Sequence, residues 1–177
     1  ELLPDASEYD ILDVGAGPIS ALGTEYPGKK LNIKAVDPLA DIYNNILSEY
    51  GMVPRVVTEK LDGERLSDSL SLNSFDLVYS RNALDHSYDP IGCIDEILKV
   101  LKDNCYCVLD QLPNEGTGAN WKGLHQWDFY REGETFFIAD RNKNIINVNK
   151  HYENRADIVC AKYDWHHRLF YILIKKI

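Results

Sequence analysis

The chain has 177 residues, 45% of them hydrophobic, so it can bury one substantial core and is not expected to be disordered. Its 19 basic and 28 acidic side chains give a net charge of −9, which argues against a nucleic-acid backbone as the main partner. The sequence contains no apolar run of membrane-spanning length and no signal-peptide pattern. It begins at Glu1 rather than Met, which leaves open whether a further segment precedes it.

Short apolar runs alternate with helical patterns over the first two thirds of the chain. The strand-like runs are buried in character, and the helical stretches repeat apolar residues every three or four positions. In chain order the sequence predicts a strand over 9–14, a helix over 18–26, a strand over 31–36, a helix over 39–50, strands over 55–58 and 75–79, a helix over 90–101 and a strand over 105–109. This order predicts a largely parallel sheet with helices on both faces.

The last third of the chain is predicted to consist mainly of strands. Residues 134–139 and 145–148 form a predicted hairpin around the polar stretch 141–144. The better strands, 156–162 and 168–175, are joined by the short linker 164–167, which makes them an antiparallel pair. Because there is no internal repeat and no domain linker, residues 1–177 are expected to form one domain, in which about 113–150 could be a lid or hairpin insertion.

The most informative segment is Gly15-Ala16-Gly17-Pro18, which breaks the first predicted strand. Two glycines in three positions allow a sharp turn and a close approach of a ligand to the main chain. A strand, a glycine loop and a helix start together build the nucleotide-binding turn of α/β proteins. A dinucleotide fingerprint would require glycine where Ser20 stands, which weakens the case for a pyrophosphate. A tight turn without any ligand is the plain alternative.

Five motifs in chain order resemble those of the class I S-adenosylmethionine-dependent methyltransferases. They are the glycine motif at 11–17, Asp37 after the second strand, an adenine-edge segment at 61–66, a fourth strand at 74–80 and a post-strand segment at 82–90. The terminal strand pair is similar to the closing hairpin of that family. The resemblance implies an α/β, Rossmann-like, doubly wound fold. Its mostly parallel seven-stranded sheet would carry a C-terminal antiparallel hairpin and form the middle of three α/β/α layers.

The resemblance also implies that the cofactor is S-adenosyl-L-methionine, bound at the carboxyl edge of the sheet. This cofactor has no phosphate, so a third glycine is dispensable. The loop is expected to seat its amino-acid end, Asp37 its ribose, and the segment around Asp62 its adenine. The full expected set of cofactor-binding residues is Asp13, Gly15, Ala16, Gly17, Asp37, Pro38, Leu39, Asp62, Gly63, Ser80 and Arg81.

Each of these residues also has a purely structural explanation. Asp13 could brace the loop, and Asp37 could cap the next helix, because such side chains often bond to nearby backbone. Asp62 and Gly63 also form an ordinary turn dipeptide. Arg81 is equally well explained as a solvated surface residue.

Methyl transfer requires the protein to align a nucleophile, exclude water and, where the acceptor holds a proton, remove it. His86 follows the fourth strand, and His125 lies on a predicted lid after the Gly/Asn-rich stretch 114–120. Both are candidate catalytic bases because histidine titrates near neutrality, although either could be structural. His125-Gln126-Trp127 resembles an element of some bacterial methyltransferases of this class, which suggests a sugar or sugar-nucleotide acceptor.

The sequence predicts no metal site. His166 and His167 are adjacent and point in different directions, and Asp85, His86 and Asp89 match no recognised ligand spacing. The four cysteines contain no C-x-x-C pair and are expected to be reduced thiols of a cytoplasmic protein.

The leading hypothesis is therefore methyl transfer to a small-molecule acceptor, without nucleic-acid or membrane partners. Two alternatives remain open. A nicotinamide-dependent oxidoreductase is disfavoured by Ser20, and a non-catalytic binding domain could share the same fold. The sequence carries no signal for the acceptor atom or for the oligomeric state.

Overall fold

The computed structural model describes residue 3, residues 5–164 and residues 169–177, without the side chains of 159–164 and 169. Within these described residues the fold has ten strands, four α-helices and two 3-10 segments. The strands are β1 (Glu8–Val14), β2 (Lys30–Val36), β3 (Thr58–Glu59), β4 (Phe75–Arg81), β5 (Leu101–Gln111), β6 (Trp127–Glu132), β7 (Thr135–Asp140), β8 (Ile145–Asn147), β9 (Ala156–Asp164) and β10 (Leu169–Lys176). The helices are α1 (Ala40–Glu49), α2 (Pro90–Val100), α3 (Glu115–Gly118) and α4 (Val148–His151), with 3-10 segments η1 (Gly63–Asp68) and η2 (Leu84–His86).

Seven strands form the main sheet, in the order β3-β2-β1-β4-β5-β10-β9. The first five run parallel, and β10 pairs antiparallel with both β5 and β9. The predicted fold class and the closing antiparallel pair are thus confirmed. The chain moves toward one edge through α1 and toward the other through α2. Right-handed crossovers therefore place these two helices on opposite faces of the sheet.

The main core lies between the sheet and α2. Helix α2 begins at Pro90, preceded by Asp89, whose side chain accepts the N–H of Gly92 at 3.0 Å and caps the helix. Ile94 and Ile97 lie three residues apart on its buried side and are fully buried against the sheet. The helix thus lies in the connection from the end of β4 to the start of β5.

A second sheet, in the order β6-β7-β8, completes this side of the molecule. Its Phe136 packs edge-on against Phe170 of β10, with ring centroids 5.6 Å apart, and belongs to the same core. The predicted hairpin over 134–148 is confirmed as β7 and β8. Strand β6 is new, because the run from Trp127 onward was expected to belong to the lid.

The predicted helix over 18–26 is wrong. Residues 15–29, all of which the structure describes, form turns and bends with one isolated bridge between Tyr26 and Lys29. Gly23 interrupts the run and costs a helix interior about 1 kcal/mol relative to alanine, while Pro27 directly after it disfavours the helical conformation of Tyr26. The apolar Ile19 is 49% exposed, so the segment has no buried face to offset that cost.

The predicted strand over 55–58 is also shorter than expected. Only Thr58 and Glu59 pair, with Ala35 and Val36 of β2. Val57 is exposed, which shows that this β-branched run does not form a buried strand. The predicted linker 164–167 and the start of the last predicted strand at 168 fall largely outside the described residues. Within the described part of the chain, no helix has the length and apolar character needed to cross a membrane.

Candidate active site at the carboxyl edge of the sheet

The carboxyl ends of β1, β2 and β4 lie side by side. Val14 pairs with Val36 at the ends of β1 and β2, and Asp13 pairs with Tyr79 near the end of β4. The glycine loop, Asp37 and Ser80-Arg81 therefore emerge at one edge, where ligands bind in open α/β sheets. The structure thus brings together residues that the sequence separates by more than 40 positions.

The glycine loop is closed by bonds within the protein. The N–H groups of Gly15 and Ala16 both donate to the carbonyl of Val36, at 2.8 and 3.1 Å, and the N–H of Gly17 donates to Asp37 at 3.0 Å. The N–H groups of the three loop residues are thus committed within the protein, and no helix follows in residues 15–29 to offer its N-terminus to a phosphate. The loop is unsuited to a pyrophosphate.

Gly15 and Gly17 both have positive φ angles, +70° and +65°. Their surroundings differ. A Cβ built on Gly15 would lie 2.3 Å from the Cβ of Ala83, so the segment after β4 packs directly on this glycine. A Cβ on Gly17 would meet no described atom within 4 Å, which leaves open space above the loop for a ligand.

Asp37 is buried at the end of β2 and binds two backbone groups. Its Oδ1 accepts the N–H of Leu39 at 2.8 Å, and its Oδ2 accepts that of Gly17. A carboxylate offers about four lone-pair sites, so each oxygen can still accept a hydroxyl of a ribose. Next to it, Pro38 is exposed and Leu39 is 40% exposed, so both can cover an adenine face.

Asp13 lies beneath the loop, only 2% exposed. It accepts the hydroxyl of Ser20 at 2.6 Å. Burial raises the pKa of Asp13, the Ser20 bond partly offsets this, and the charge of Asp37 raises it further. Ser20, which stands where a dinucleotide motif has its third glycine, therefore holds the acid that braces the loop.

Gly63 begins η1, and Asp62 directly precedes it at the N-cap position. The Asp62 side chain forms no capping bond with this 3-10 segment. A Cβ on Gly63 would lie 3.1 Å from the Sγ of Cys93 and 3.4 Å from Val14, at the end of β1. Gly63 is thus needed for close packing, whereas the turn does not use the Asp62 carboxylate, which can bind an adenine amino group.

Ser80 and Arg81 end β4. Ser80 is fully buried, and its Oγ has no hydrogen-bond partner among the residues described. The Nε of Arg81 lies 3.5 Å from Oδ2 of Asp110, which also accepts the hydroxyl of Tyr79 at 3.0 Å. Burial and the charge of Asp110 raise the pKa of Tyr79, so this phenol stays protonated. Arg81 is therefore tied to β5, a partnership that the sequence did not indicate.

The two candidate histidines meet beside a buried aspartate. Nδ1 of His125 lies 2.7 Å from Oδ2 of Asp85 and 3.2 Å from Nε2 of His86, and this Nε2 lies 3.3 Å from Asp85. The Asp85 side chain is 2% exposed, whereas the two imidazoles are 31% and 35% exposed. A buried carboxylate that orients a partly exposed imidazole is a typical arrangement for proton transfer.

Two hydrogen bonds bring His125 to η2 from a distant part of the chain. The N–H of Gln126 donates to the carbonyl of Asp85, and the indole N–H of Trp127 donates to that of Ser87, both at 2.9 Å. The sequence identified His86 and His125 separately but missed that Asp85 would partner both. Its only signal was the adjacency of Asp85 to His86; Asp89, considered with them, caps α2 instead.

Helix α3 closes one side of this cluster. The side chain of Asp128 accepts the Thr117 N–H at 2.8 Å, and a Cβ on Gly116 would lie 2.5 Å from the ring of Trp121. The stretch 114–128 is therefore folded on itself. This fold holds Oε2 of Glu115 at 3.6 Å from Nδ1 of His125, a neighbour that the sequence did not indicate.

A family model described as a methyltransferase domain matches residues 12–109, more than half of the chain. This range includes the glycine loop, Asp37, Asp62, Ser80 and η2. No curated protein matches the sequence of this chain.

Solved structures show the same fold. A S-adenosylmethionine-dependent methyltransferase from Clostridium acetobutylicum superposes with a TM-score of 0.56 at 15% identity, over 97% of this chain and 85% of that one. A SAM-dependent methyltransferase from Aquifex aeolicus superposes with a TM-score of 0.57 at 15% identity, over 96% of this chain and 82% of that one. A Listeria monocytogenes protein, described as a candidate methyltransferase of this type, superposes with a TM-score of 0.63 at 15% identity. The superposition covers 99% of this chain and 94% of that one.

Proposed function

The chain belongs to the methyltransferase domain family and is an S-adenosylmethionine-dependent methyltransferase, and we propose that its methyl acceptor is a small molecule bound beside His86 and His125. One contact carries this proposal. Ala83, two residues before Asp85, packs directly on Gly15 of the glycine loop. The histidine cluster therefore adjoins the seat proposed for the methyl donor, where a nucleophile has to enter.

The described residues fit the cofactor, whose sulfonium supplies an activated methyl group when it is bound. The open space above Gly17, the two remaining lone-pair sites of Asp37 and the uncommitted carboxylate of Asp62 suit its amino-acid end, ribose and adenine respectively. The residues proposed to hold it are Asp13, Gly15, Ala16, Gly17, Asp37, Pro38, Leu39, Asp62, Gly63, Ser80 and Arg81.

His125 is the proposed base for the acceptor proton, and His86 supports it. If Nδ1 of His125 donates its hydrogen to Asp85, Nε2 keeps a lone pair that can accept a proton from a hydroxyl or amine. The ring is 31% exposed, so an acceptor can reach it.

The acceptor class is proposed from charge and shape. A net charge of −9 disfavours nucleic acid, and the stretch 113–150 is proposed to cover the site as a lid within a single domain of residues 1–177. A sugar or sugar nucleotide is the proposed acceptor, because of the His125-Gln126-Trp127 element. Buried free thiols at Cys93, Cys105 and Cys107 fit a reducing, cytoplasmic location.

Cofactor binding tests the site through thermal stabilisation by S-adenosylmethionine, its demethylated product and NAD. Asp37→Ala is expected to abolish most of the stabilisation by the first two ligands, since it removes the ribose acceptor. Asp41→Ala, which removes an exposed acid of α1, is the matched control and should keep it. An unchanged shift in Asp37→Ala, or stabilisation by NAD alone, would overturn the proposed site.

The acceptor is tested by methyl transfer from labelled S-adenosylmethionine to a panel of sugars, sugar nucleotides and short RNA. Transfer to a sugar or sugar nucleotide is expected. Transfer to RNA alone would exclude the small-molecule proposal.

A further inference from the structure

We infer that Asp85, His86 and His125 form a binding site for one divalent transition-metal cation of the zinc class, with the Glu115 carboxylate close by. The sequence offered no ligand spacing for such a site, because its members come from η2 and from the segment before β6. Only the fold brings their ligand atoms to one point.

The spacing of the three nearest atoms suits a shared cation. Nδ1 of His125 lies 2.7 Å from Oδ2 of Asp85 and 3.2 Å from Nε2 of His86. The third distance, from Nε2 of His86 to Oδ2 of Asp85, is 3.3 Å. Ligands that share a cation at about 2.1 Å lie about 3.0–3.4 Å from each other in octahedral or tetrahedral geometry. Small rotations of the two rings would bring all three distances into that interval.

Hydrogen bonding alone serves these atoms poorly. Nδ1 of a neutral His125 can donate to Asp85 or accept from His86, but it cannot do both. Wherever the ring hydrogens are placed, one of the three close contacts joins two hydrogen-bond acceptors or two donors. A central cation resolves this conflict, because all three atoms can offer it a lone pair at the same time.

Two buried oxygens give an independent indication of a missing ligand. Oδ1 of Asp85 and Oε2 of Glu115 have no hydrogen-bond partner within the described residues, and Asp85 is almost completely buried. Buried polar atoms are nearly always satisfied, by protein, water or an ion. A cation would also balance the charge of two carboxylates that now face imidazoles rather than lysine or arginine.

The set of donors indicates the class of cation. Two imidazole nitrogens and one or two carboxylate oxygens suit Zn²⁺, Co²⁺ or Fe²⁺ better than the all-oxygen ions Mg²⁺ and Ca²⁺. Both histidines remain about one third exposed, so a coordination position can face the acceptor side.

The role of the cation rests on the proposed function, whereas its binding does not. When it is bound, His86 and His125 hold the cation rather than taking up the acceptor proton. Its positive charge would lower the pKa of a coordinated acceptor hydroxyl, whose proton would pass to solvent. The oxygen would then attack the methyl carbon of S-adenosylmethionine, so that the O–CH3 bond forms as the S–CH3 bond breaks and S-adenosylhomocysteine leaves.

Calorimetric titration of the chelator-treated full chain with Zn²⁺ tests binding, and visible absorption with Co²⁺ tests the coordination. One cation per chain is expected. Asp85→Asn and His86→Ala should each weaken binding by at least about tenfold, since even the loss of a supporting residue around a metal has that effect. His86 is partly exposed, so its variant should fold even if changes at Asp85 do not.

The other histidines of the chain provide matched controls. His151→Ala removes an exposed histidine of α4, and His166→Ala/His167→Ala removes the remaining pair; both variants should bind Zn²⁺ as the wild type does. No Zn²⁺ or Co²⁺ binding by the wild type, or equal binding by His86→Ala, would overturn the site.

The role is tested with the sugar or sugar nucleotide that the wild type methylates. Chelation should abolish methyl transfer, and stoichiometric Zn²⁺ should restore it. Full activity of the chelated enzyme would overturn the role of the cation while leaving His125 as the base. Zn²⁺ binding without methylation of any small molecule would overturn the proposed function and leave the site standing.

Discussion

The two halves of the candidate site meet at one sheet edge but are built differently. The donor half, made of residues 13–17, Asp37 and Asp62-Gly63, lies at the ends of β1 and β2 and within four residues after β3. The acceptor half, made of Asp85, His86, Glu115 and His125, joins segments about 40 residues apart through two backbone-directed hydrogen bonds. Local sequence therefore specifies the first half, whereas only tertiary packing assembles the second.

The halves also differ in how well their polar groups are satisfied. In the donor half, Asp13 binds Ser20, and Asp37 binds the N–H groups of Gly17 and Leu39. In the acceptor half, Asp85 and Glu115 each keep a buried oxygen without a partner among the described residues. These acids of the donor half are thus already organised before a ligand binds, although the nearby Oγ of Ser80 also has no partner among the described residues, while the acceptor half has two unsatisfied carboxylate oxygens.

The largest effect is expected where the two halves touch. Gly15→Ala would place a Cβ 2.3 Å from that of Ala83 and would force alanine into a φ of +70°. Overpacking and the left-handed backbone together should lower the free energy of unfolding by about 3 kcal/mol, measured by urea unfolding. Cofactor stabilisation should fall as well, because the loop shifts.

Gly17→Ala is the matched control for this change. It has a similar φ of +65° but meets no described atom within 4 Å, so only the backbone term remains, about 1 kcal/mol. If the two variants lost equal stability, close packing of the halves at Gly15 would be disproved.

A second change should impair the acceptor half while leaving cofactor binding by the donor half intact. Asp85→Asn keeps the shape of the buried side chain but removes its charge, so His125 loses its orienting partner and the cluster loses a ligand. We expect kcat to fall about 100-fold, with the affinity for S-adenosylmethionine within about twofold of wild type. Both are measured with labelled cofactor and the acceptor identified by the screen.

Asp89→Asn, four residues later, is the control for a general loss of acidic charge. Asparagine also caps helices well, so kcat should stay near that of the wild type. A parallel loss of cofactor affinity in Asp85→Asn would mean that the halves are not separable.

The same contrast explains which features the sequence could predict. The order of strands and helices and the donor residues follow from local periodicity and from turns that directly follow strands. The helix predicted over 18–26 is wrong because Gly23 interrupts the run, Pro27 follows it, and the fold gives the segment no buried face. Strand β6 was missed because its pairing partner, β7, decides its conformation.

The acceptor half lay beyond sequence analysis for a related reason. His86 and His125 could be identified as suitable residue types, but their separation of 3.2 Å depends on the docking of Gln126 and Trp127 on η2. Nothing in the spacing of Glu115 or Asp85 encodes that contact. Side chains that meet only through tertiary packing need the structure to become visible as one cluster.

The smallest expected effect concerns the free energy that ionised Asp13 costs the folded donor half. Burial raises the pKa of Asp13 above its ordinary value of 3.8, so the native state holds this proton more tightly than the unfolded chain does. The stability contributed by Asp13 is therefore greatest below pH 3.8 and falls as pH rises through the folded-state pKa. Asp13→Asn, which can still accept the Ser20 hydroxyl, should remove this decline.

Urea unfolding of wild type and Asp13→Asn across acid to neutral pH checks this difference, because shared titrations cancel when the two curves are subtracted. The advantage of the variant should grow with pH and then level off. Ser20→Ala, which removes the bond that lowers the Asp13 pKa, should move the decline to higher pH. If Asp13→Asn is more stable yet binds S-adenosylmethionine less tightly, the buried charge is retained for the ligand. A flat difference curve would mean that ionised Asp13 costs the fold nothing and that the donor half is organised without strain.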